Sequence, residues 1–342
     1  MEVLPVTKCC KAAGWLLLSA VLLVSCGPGR RVAGAPAVET KAAVSPAIAA
    51  GQYSGITHID GSRYAVVDDK LPGGGIVFFD IDMDPGTGTI RQVRAEVPPA
   101  TKLSNISGRD GEGIAYANGK LYVSAESDQS IREYDLDGNP TGQAFVIPAE
   151  MGVENIVPNG GFEAFTYSSA SGCFWATTEW PLLQDTEIPR LHRLQRFDAR
   201  FRPDRQYLYQ MDEPLRTPDG TRAYIHGISA LTALDDGSLV VLEREVSVPA
   251  GWVKALNETV SVTKLYQVTP SGNGRDILPK HLLLEFTTRA SDLANFEGMC
   301  QGPVLLDGRR TLILIADSQG GGGGWTREYL KIVILPANNP EK

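Results

Sequence analysis

Apolar and polar residues alternate with period two through most of this chain, in short runs that stop at Gly-containing turns. That is the pattern of half-buried β-strands, not of helices. Five stretches share one order: a polar residue, a small residue, an apolar strand, a turn, then a second strand of aromatic and β-branched residues ending in an acid. They run SGITHIDGSRYAVVDD from Ser54, EGIAYANGKLYVSAESD from Glu112, EAFTYSSASGCFWATTEW from Glu163, HGISALTALDDGSLVVLERE from His226 and EGMCQGPVLLDGRRTLILIADS from Glu297. A third strand is predicted after each, at 76–79, 131–134, 194–197, 265–268 and 330–333. A fourth is predicted in four of them, at 91–97, 143–147, 205–210 and 282–286. Asn118-Gly119, Asp137-Gly138, Asp236-Gly237 and Asp307-Gly308 have the chemistry of hairpin turns.

Four antiparallel strands repeated along a chain predict an all-β fold, a β-propeller of four-stranded blades. Five repeats are counted, with room for a sixth in 180–225 or 245–280. The fifth unit lacks a fourth strand after Pro336, and the stretch 44–52 is expected to supply it, so that both termini close the ring. A β-sandwich is the alternative, but it does not require such a repeat.

The N-terminus departs from this pattern. Lys8 and Lys11 precede an apolar run from Ala12 to Ser25, too short to span a bilayer comfortably. Leu23-Val24-Ser25-Cys26 is similar to a bacterial lipobox, with cleavage before Cys26 and acylation of that cysteine. An ordinary secretory signal cut near Ala35 or Ala37 is the other reading. Residues 1–25 are thus expected to be a signal peptide, 26–50 a lipid-anchored flexible tether rich in Ala, Gly and Pro, and 51–338 the propeller domain. The implied location is the cell envelope, with Gly27 after the cysteine favouring the outer membrane. The expected partner there is the membrane, through the lipid.

Composition narrows the function. Lys plus Arg number 32 and Asp plus Glu 40, a net charge of -8, which argues against a nucleic-acid partner. Hydrophobic residues at 43% suffice for a sizeable core, and 36 Gly with 22 Pro suit many tight turns. Beyond the signal and Cys26, only Cys173 and Cys300 remain, and two separate buried thiols are expected of them. There is no Gly-x-Ser-x-Gly elbow, and His58, His192, His226 and His281 lack zinc spacing. Gly320–Gly324 lacks the Lys-Ser/Thr of a phosphate loop and reads as a loop.

Several pieces resemble the phytase-like domain family, also described as "esterase-like activity of phytase". They are Asp110-Gly111-Glu112-Gly113-Ile114, Gly161-Phe162-Glu163-Ala164, Gly227-Ile228-Ser229-Ala230-Leu231, Leu234 to Arg244, Asn295-Phe296-Glu297-Gly298-Met299 and Asp307 through Ser318. The match runs from about Ser54 to Pro336. The resemblance implies a hydrolase of phosphate or other esters, with a dependence on calcium.

The first strand of each propeller blade lines the channel, so the polar residues opening the units, Ser54, Glu112, Glu163, His226 and Glu297, are expected near one mouth. The second strands end in Asp68 or Asp69, Glu126, Glu179, Glu243 and Asp317, with a register uncertain by one, since Arg244 also aligns with Glu126. Converging carboxylates require a cation, and all-oxygen ligands suit Ca²⁺. The expected site therefore has Glu112, Glu163, Glu297 and Asp317 around a metal that activates a water against a phosphoester, with Arg244 gripping phosphate. The competing expectation for each acid is structural, its carboxylate accepting backbone N–H groups. The competing function is a non-catalytic propeller that binds a glycan, peptide or partner protein. A lactonase-like enzyme with a channel cation is a third.

Overall fold

The computed structural model describes residues 38–41, 48–49, 51–68, 75–96, 110–185, 187–289, 292–318 and 328–337. The expected signal peptide, the lipidated Cys26 and the Gly320–Gly324 loop lie outside them. Among the described residues the chain forms five four-stranded antiparallel sheets, each with neighbouring strands in order. Blade one is β2 (Tyr53–Asp60), β3 (Arg63–Asp68), β4 (Gly75–Met83) and β5 (Ile90–Glu96). Blade two is β6 (Gly111–Ala117), β7 (Lys120–Ala125), β8 (Ser130–Tyr134) and β9 (Pro140–Ala144). Blade three is β10 (Phe162–Ser168), β11 (Cys173–Thr178), β12 (Leu191–Phe197) and β13 (Pro203–Gln210). Blade four is β14 (Thr221–Ala233), β15 (Leu239–Pro249), β16 (Val260–Val268) and β17 (Lys280–Arg289), with α1 (Trp252–Glu258) at the tip of its long hairpin. Blade five is β18 (Asn295–Gln301), β19 (Arg310–Asp317), β20 (Leu330–Leu335) and the two-residue β1 (Glu39–Thr40). Each inner strand touches the next, and β18 returns to β2, so the fold is a five-bladed propeller.

Three expectations need correction. No sixth blade occurs among the described residues: Val246, Val248, Val260 and Val262 extend the blade-four hairpin instead. The outer strand of blade two is Pro140–Ala144, not 143–147: Phe145 still donates its N–H to the Ile131 carbonyl, but its ring packs among Tyr122, Phe174 and Phe197 and the Val146 N–H turns away to the Phe201 carbonyl. The ring does close with the N-terminus, but through Glu39–Thr40, inside the stretch read as a tether. Glu39 pairs with Ile334 and Thr40 with Val333. Both remaining cysteines are free, as expected, although Cys173 is only half-buried.

The core is five wedges, one between each pair of adjacent sheets. Side chains of alternate strand residues fill these wedges, which is why the apolar positions repeat with period two. At the channel the inner strands approach too closely for side chains. A Cβ on Gly55 would lie 2.3 Å from the Glu112 carbonyl oxygen, and one on Gly298 3.1 Å from Gly55 Cα. The glycine of four repeats, Gly55, Gly113, Gly227 and Gly298, is thus a spacing requirement of the ring.

Candidate active site at the channel mouth

The inner strands carry a register shift near one end. It falls between Tyr53 and Gly55, Gly111 and Ile114, Phe162 and Ala164, Ile228 and Ala230, and Phe296 and Gly298. Such a bulge adds one residue against its partner strand and re-aims a side chain. The inner ring is therefore Ser54, the Glu112-Gly113 step, Glu163, Ser229 and Glu297. Blade four contributes Ser229 in place of the expected His226, which sits three residues further up its hairpin. Beyond the shift, Ala125, Thr178, Glu243 and Ala316 face the residues just before it. The next residues, Glu126, Glu179, Arg244 and Asp317, form a second ring. Arg244, not Glu243, is thus the equivalent of Glu126.

The cavity lined by the inner strands encloses only about 10 Å³, room for roughly one water. Any ligand larger than a water must therefore meet the chain at the mouth.

Two groups of side chains gather there. In the first, carboxylate oxygens of Asp110, Glu112 and Glu126 all lie within 4.8 Å of one another. Glu126 also accepts the backbone N–H of Gly161 in the next blade at 2.9 Å, so it has the structural role weighed for these acids as well. In the second group, the buried Arg244 guanidinium is held by Glu163, Glu179 and Glu297. Its Nη2 lies 3.7 Å from Glu163 and is ion-paired with Glu179, and its Nη1 is ion-paired with Glu297. Asn295 Oδ1 lies 3.3 Å from Nη1, and Asn295 Nδ2 donates to Glu297 at 2.7 Å. Glu163 and Glu297 thus both meet the one guanidinium. Arg244 is only 3% exposed and faces carboxylates. Asp317 ends β19 opposite Asn295 and is not one of the three acids whose oxygens converge. Asp110, Glu126 and Glu179 are not among the ligands expected from the sequence, although Glu126 and Glu179 are among the second-strand ends.

Burial pushes the Glu163 carboxyl well above the ordinary range, and the carboxylates of Glu112 and Glu179 push it further, against a pull from Arg244. Burial raises Glu179 too, with Arg244 opposing. Burial alone would lower the Arg244 guanidinium, but Glu297, Glu179 and Glu163 outweigh it and hold it above its usual value. A carboxyl with a raised folded pKa binds its proton more tightly in the folded chain. Its contribution to stability is therefore full below the unfolded value of 4.5 and is lost as pH climbs through the folded one. Glu163→Gln, uncharged at every pH, is expected to remove much of the decline in Tm as pH rises above about 4.5. An undiminished decline in that variant would assign the titration to another group, Glu179 first.

A second buried network lies between blades three and four. Lys280 Nζ bonds Glu243 at 2.6 Å and Asp212 at 2.8 Å and lies over the rings of Tyr209 and Tyr266. Tyr209 donates to Glu243 at 2.6 Å. Burial holds the nearby His192 down at about 3 and lowers His226 as well.

A five-bladed propeller with an acidic mouth is the class that fold and site define. The family model described as "Esterase-like activity of phytase" matches residues 48–319, and the chain belongs to this phytase-like family. No curated protein matches it. Solved structures match at low likeness. The endo-arabinase from Bacteroides thetaiotaomicron is 12% identical with a TM-score of 0.44, over 87% of this chain and 99% of that one. The Myxococcus xanthus glutaminyl cyclase is 10% identical with a TM-score of 0.41, over 91% and 100%. A chain of a nidogen/laminin complex is 12% identical with a TM-score of 0.40, over 84% and 87%. These likenesses carry nothing about activity.

Proposed function

We propose that the chain is a metal-dependent phosphoester hydrolase that works at this channel mouth, with Asp110, Glu112 and Glu126 holding a calcium ion. The observation that carries the reading is the convergence of those three carboxylates. Oxygens at 2.3–2.6 Å from one cation are roughly 4.6–5.2 Å apart when opposite, so three within 4.8 Å suit Ca²⁺. Gln129, buried, donates to the Glu126 carbonyl, while its Oε1 has no hydrogen-bond partner among the described residues and is a further oxygen beside the group. The ion would neutralise the acids and the phosphate and act as a Lewis acid. Asp110, Glu112 and Glu126 would fix the ester at the mouth. The family's description, esterase-like activity of phytase, supports an ester as substrate. The sequence further supports export and a lipid on Cys26 that tethers the enzyme to the envelope.

The test is phosphate release from phytate and from an aryl phosphate, with calcium and then with chelator. Release should stop with chelator, and Glu126→Gln should weaken calcium binding by about tenfold or more. No release from the folded protein in either condition overturns the reading. One observation favours a binding module instead: Trp252 and Val253, 65% and 69% exposed, stand at the tip of the blade-four hairpin. Retention of the folded, inactive protein on a glycan or peptide array, lost with Trp252→Ser, would support that second reading.

A further inference from the structure

Two residues at the acidic group of blade two hold left-handed backbone: Asp110 at φ 56° and Gln129 at φ 49°. Aspartate is common in that region, glutamine is not. Such strain persists where the surroundings hold it, and it gathers at ligand sites. Gln129 ends the turn from β7 to β8, where a glycine would fit the same backbone with less strain.

What the glutamine adds is its amide. Gln129 is 4% exposed, its Nε2 donates to the Glu126 carbonyl at 3.0 Å, and its Oε1 is buried with no hydrogen-bond partner among the described residues. Turning the amide over would set Oε1 against the Glu126 carbonyl oxygen, two acceptors face to face. The amide and the Glu126 side chain flank the same residue, Gly161. A Cβ there would lie 1.8 Å from Gln129 Nε2, 2.9 Å from Gln129 Cδ and 3.0 Å from Glu126 Cγ. Gly161 also donates its N–H to Glu126 Oε1. The Gln129 amide is thus packed beside the carboxylate group of Asp110, Glu112 and Glu126. A buried acceptor with no donor, next to carboxylates, is costly unless a cation is its partner. Calcium accepts amide oxygens in a flexible shell, whereas magnesium demands a tight octahedron and keeps several waters.

We propose that Gln129 gives a fourth, uncharged oxygen to the ion held by Asp110, Glu112 and Glu126, and that this oxygen makes the site prefer calcium to magnesium. The proposal rests on the reading under Proposed function for the ion itself; the role of Gln129 rests on its buried amide and its backbone.

The test is calorimetric titration of the purified full chain with CaCl₂ and, separately, with MgCl₂. Wild type is expected to bind calcium at least about tenfold more tightly than magnesium. Gln129→Met, similar in length but without the oxygen, should lose about tenfold in calcium affinity and much less in magnesium affinity, so that the preference narrows. Gln129→Glu, which keeps an oxygen there, should bind calcium at least as tightly as wild type. Unchanged calcium affinity in Gln129→Met, or an equal loss for both ions, overturns the proposal and leaves the three-carboxylate site standing. So does a loss in Gln129→Glu as deep as in Gln129→Met. No calcium bound by folded wild type sinks that site and the proposal with it. If Gln129→Met does not fold, Gln129→Gly suits the backbone and also lacks the amide. The same selective loss of calcium in that variant supports the proposal, and wild-type affinity, as a mere turn residue would give, overturns it.

Discussion

Lys280→Met is expected to destabilise the folded chain by about 3 kcal/mol, the lower end of what orphaning a buried charge costs. Glu243 is 3% exposed and would lose its one cationic partner among the described residues, retaining the Tyr209 hydroxyl and the Asp212 backbone N–H. Asp212 is less affected, since Lys264 remains 3.0 Å away and Tyr266 still donates to it. The lysine also loses its place over Tyr209 and Tyr266, which a methionine partly fills. Denaturant unfolding of Lys280→Met, Glu243→Gln and the double variant forms a cycle. The double variant should recover most of the loss, because neither charge is then buried alone. Simple additivity of the two losses would show that Lys280 acts through packing and not through Glu243.

Gly55→Val is expected to cost about 3 kcal/mol or more, the upper range for overpacking. Its Cβ would meet the Glu112 carbonyl oxygen at 2.3 Å and the Ile114 nitrogen at 3.1 Å, both backbone atoms that no rotamer change relieves. Blades one and two would have to part at the channel, and a ring distributes such a shift to every wedge. Gly61→Ala is the control for a glycine without close contacts, since nothing lies within 4 Å of a Cβ there and the strain is one of backbone alone. A Gly55→Val melt indistinguishable from wild type would mean that the channel opens at no cost.

The blades were legible because each strand pair carries its own hairpin turn and its own alternation. Both are local signals, and the five units from Ser54 to Glu297 repeat them. The mouth was harder to read. In blade four the strand pairing runs on through three consecutive charged residues, Glu243-Arg244-Glu245, each compatible with a different register, so nothing in the sequence separates His226 from Ser229 as the ring residue. The Asp110–Glu112–Glu126 group joins the start of one strand to the residue after the next, a proximity set by the bulge between Gly111 and Ile114. Arg244 as the partner of Glu179 and Glu297 lies 65 and 53 residues away from them and depends on the closed ring. The latch at Glu39–Thr40 carries no alternation of its own. Two residues form a strand there because the edge of β20 offers them a ladder.

That latch sets a clock on synthesis. The last blade joins parts of the chain some 290 residues apart, Lys331 reaching the carbonyl of Lys41, Gly51 donating to Glu328, and Ser318 bonding the Gly51 carbonyl. At 5–20 residues per second, roughly 15–60 s pass between the emergence of one half and the other. For that interval blades one to four can form in order while the ring stays open, with the inner faces of the first and fourth lacking their neighbour. The final strand does not merely add stability; its arrival converts a growing stack with two sticky ends into a closed body that has none.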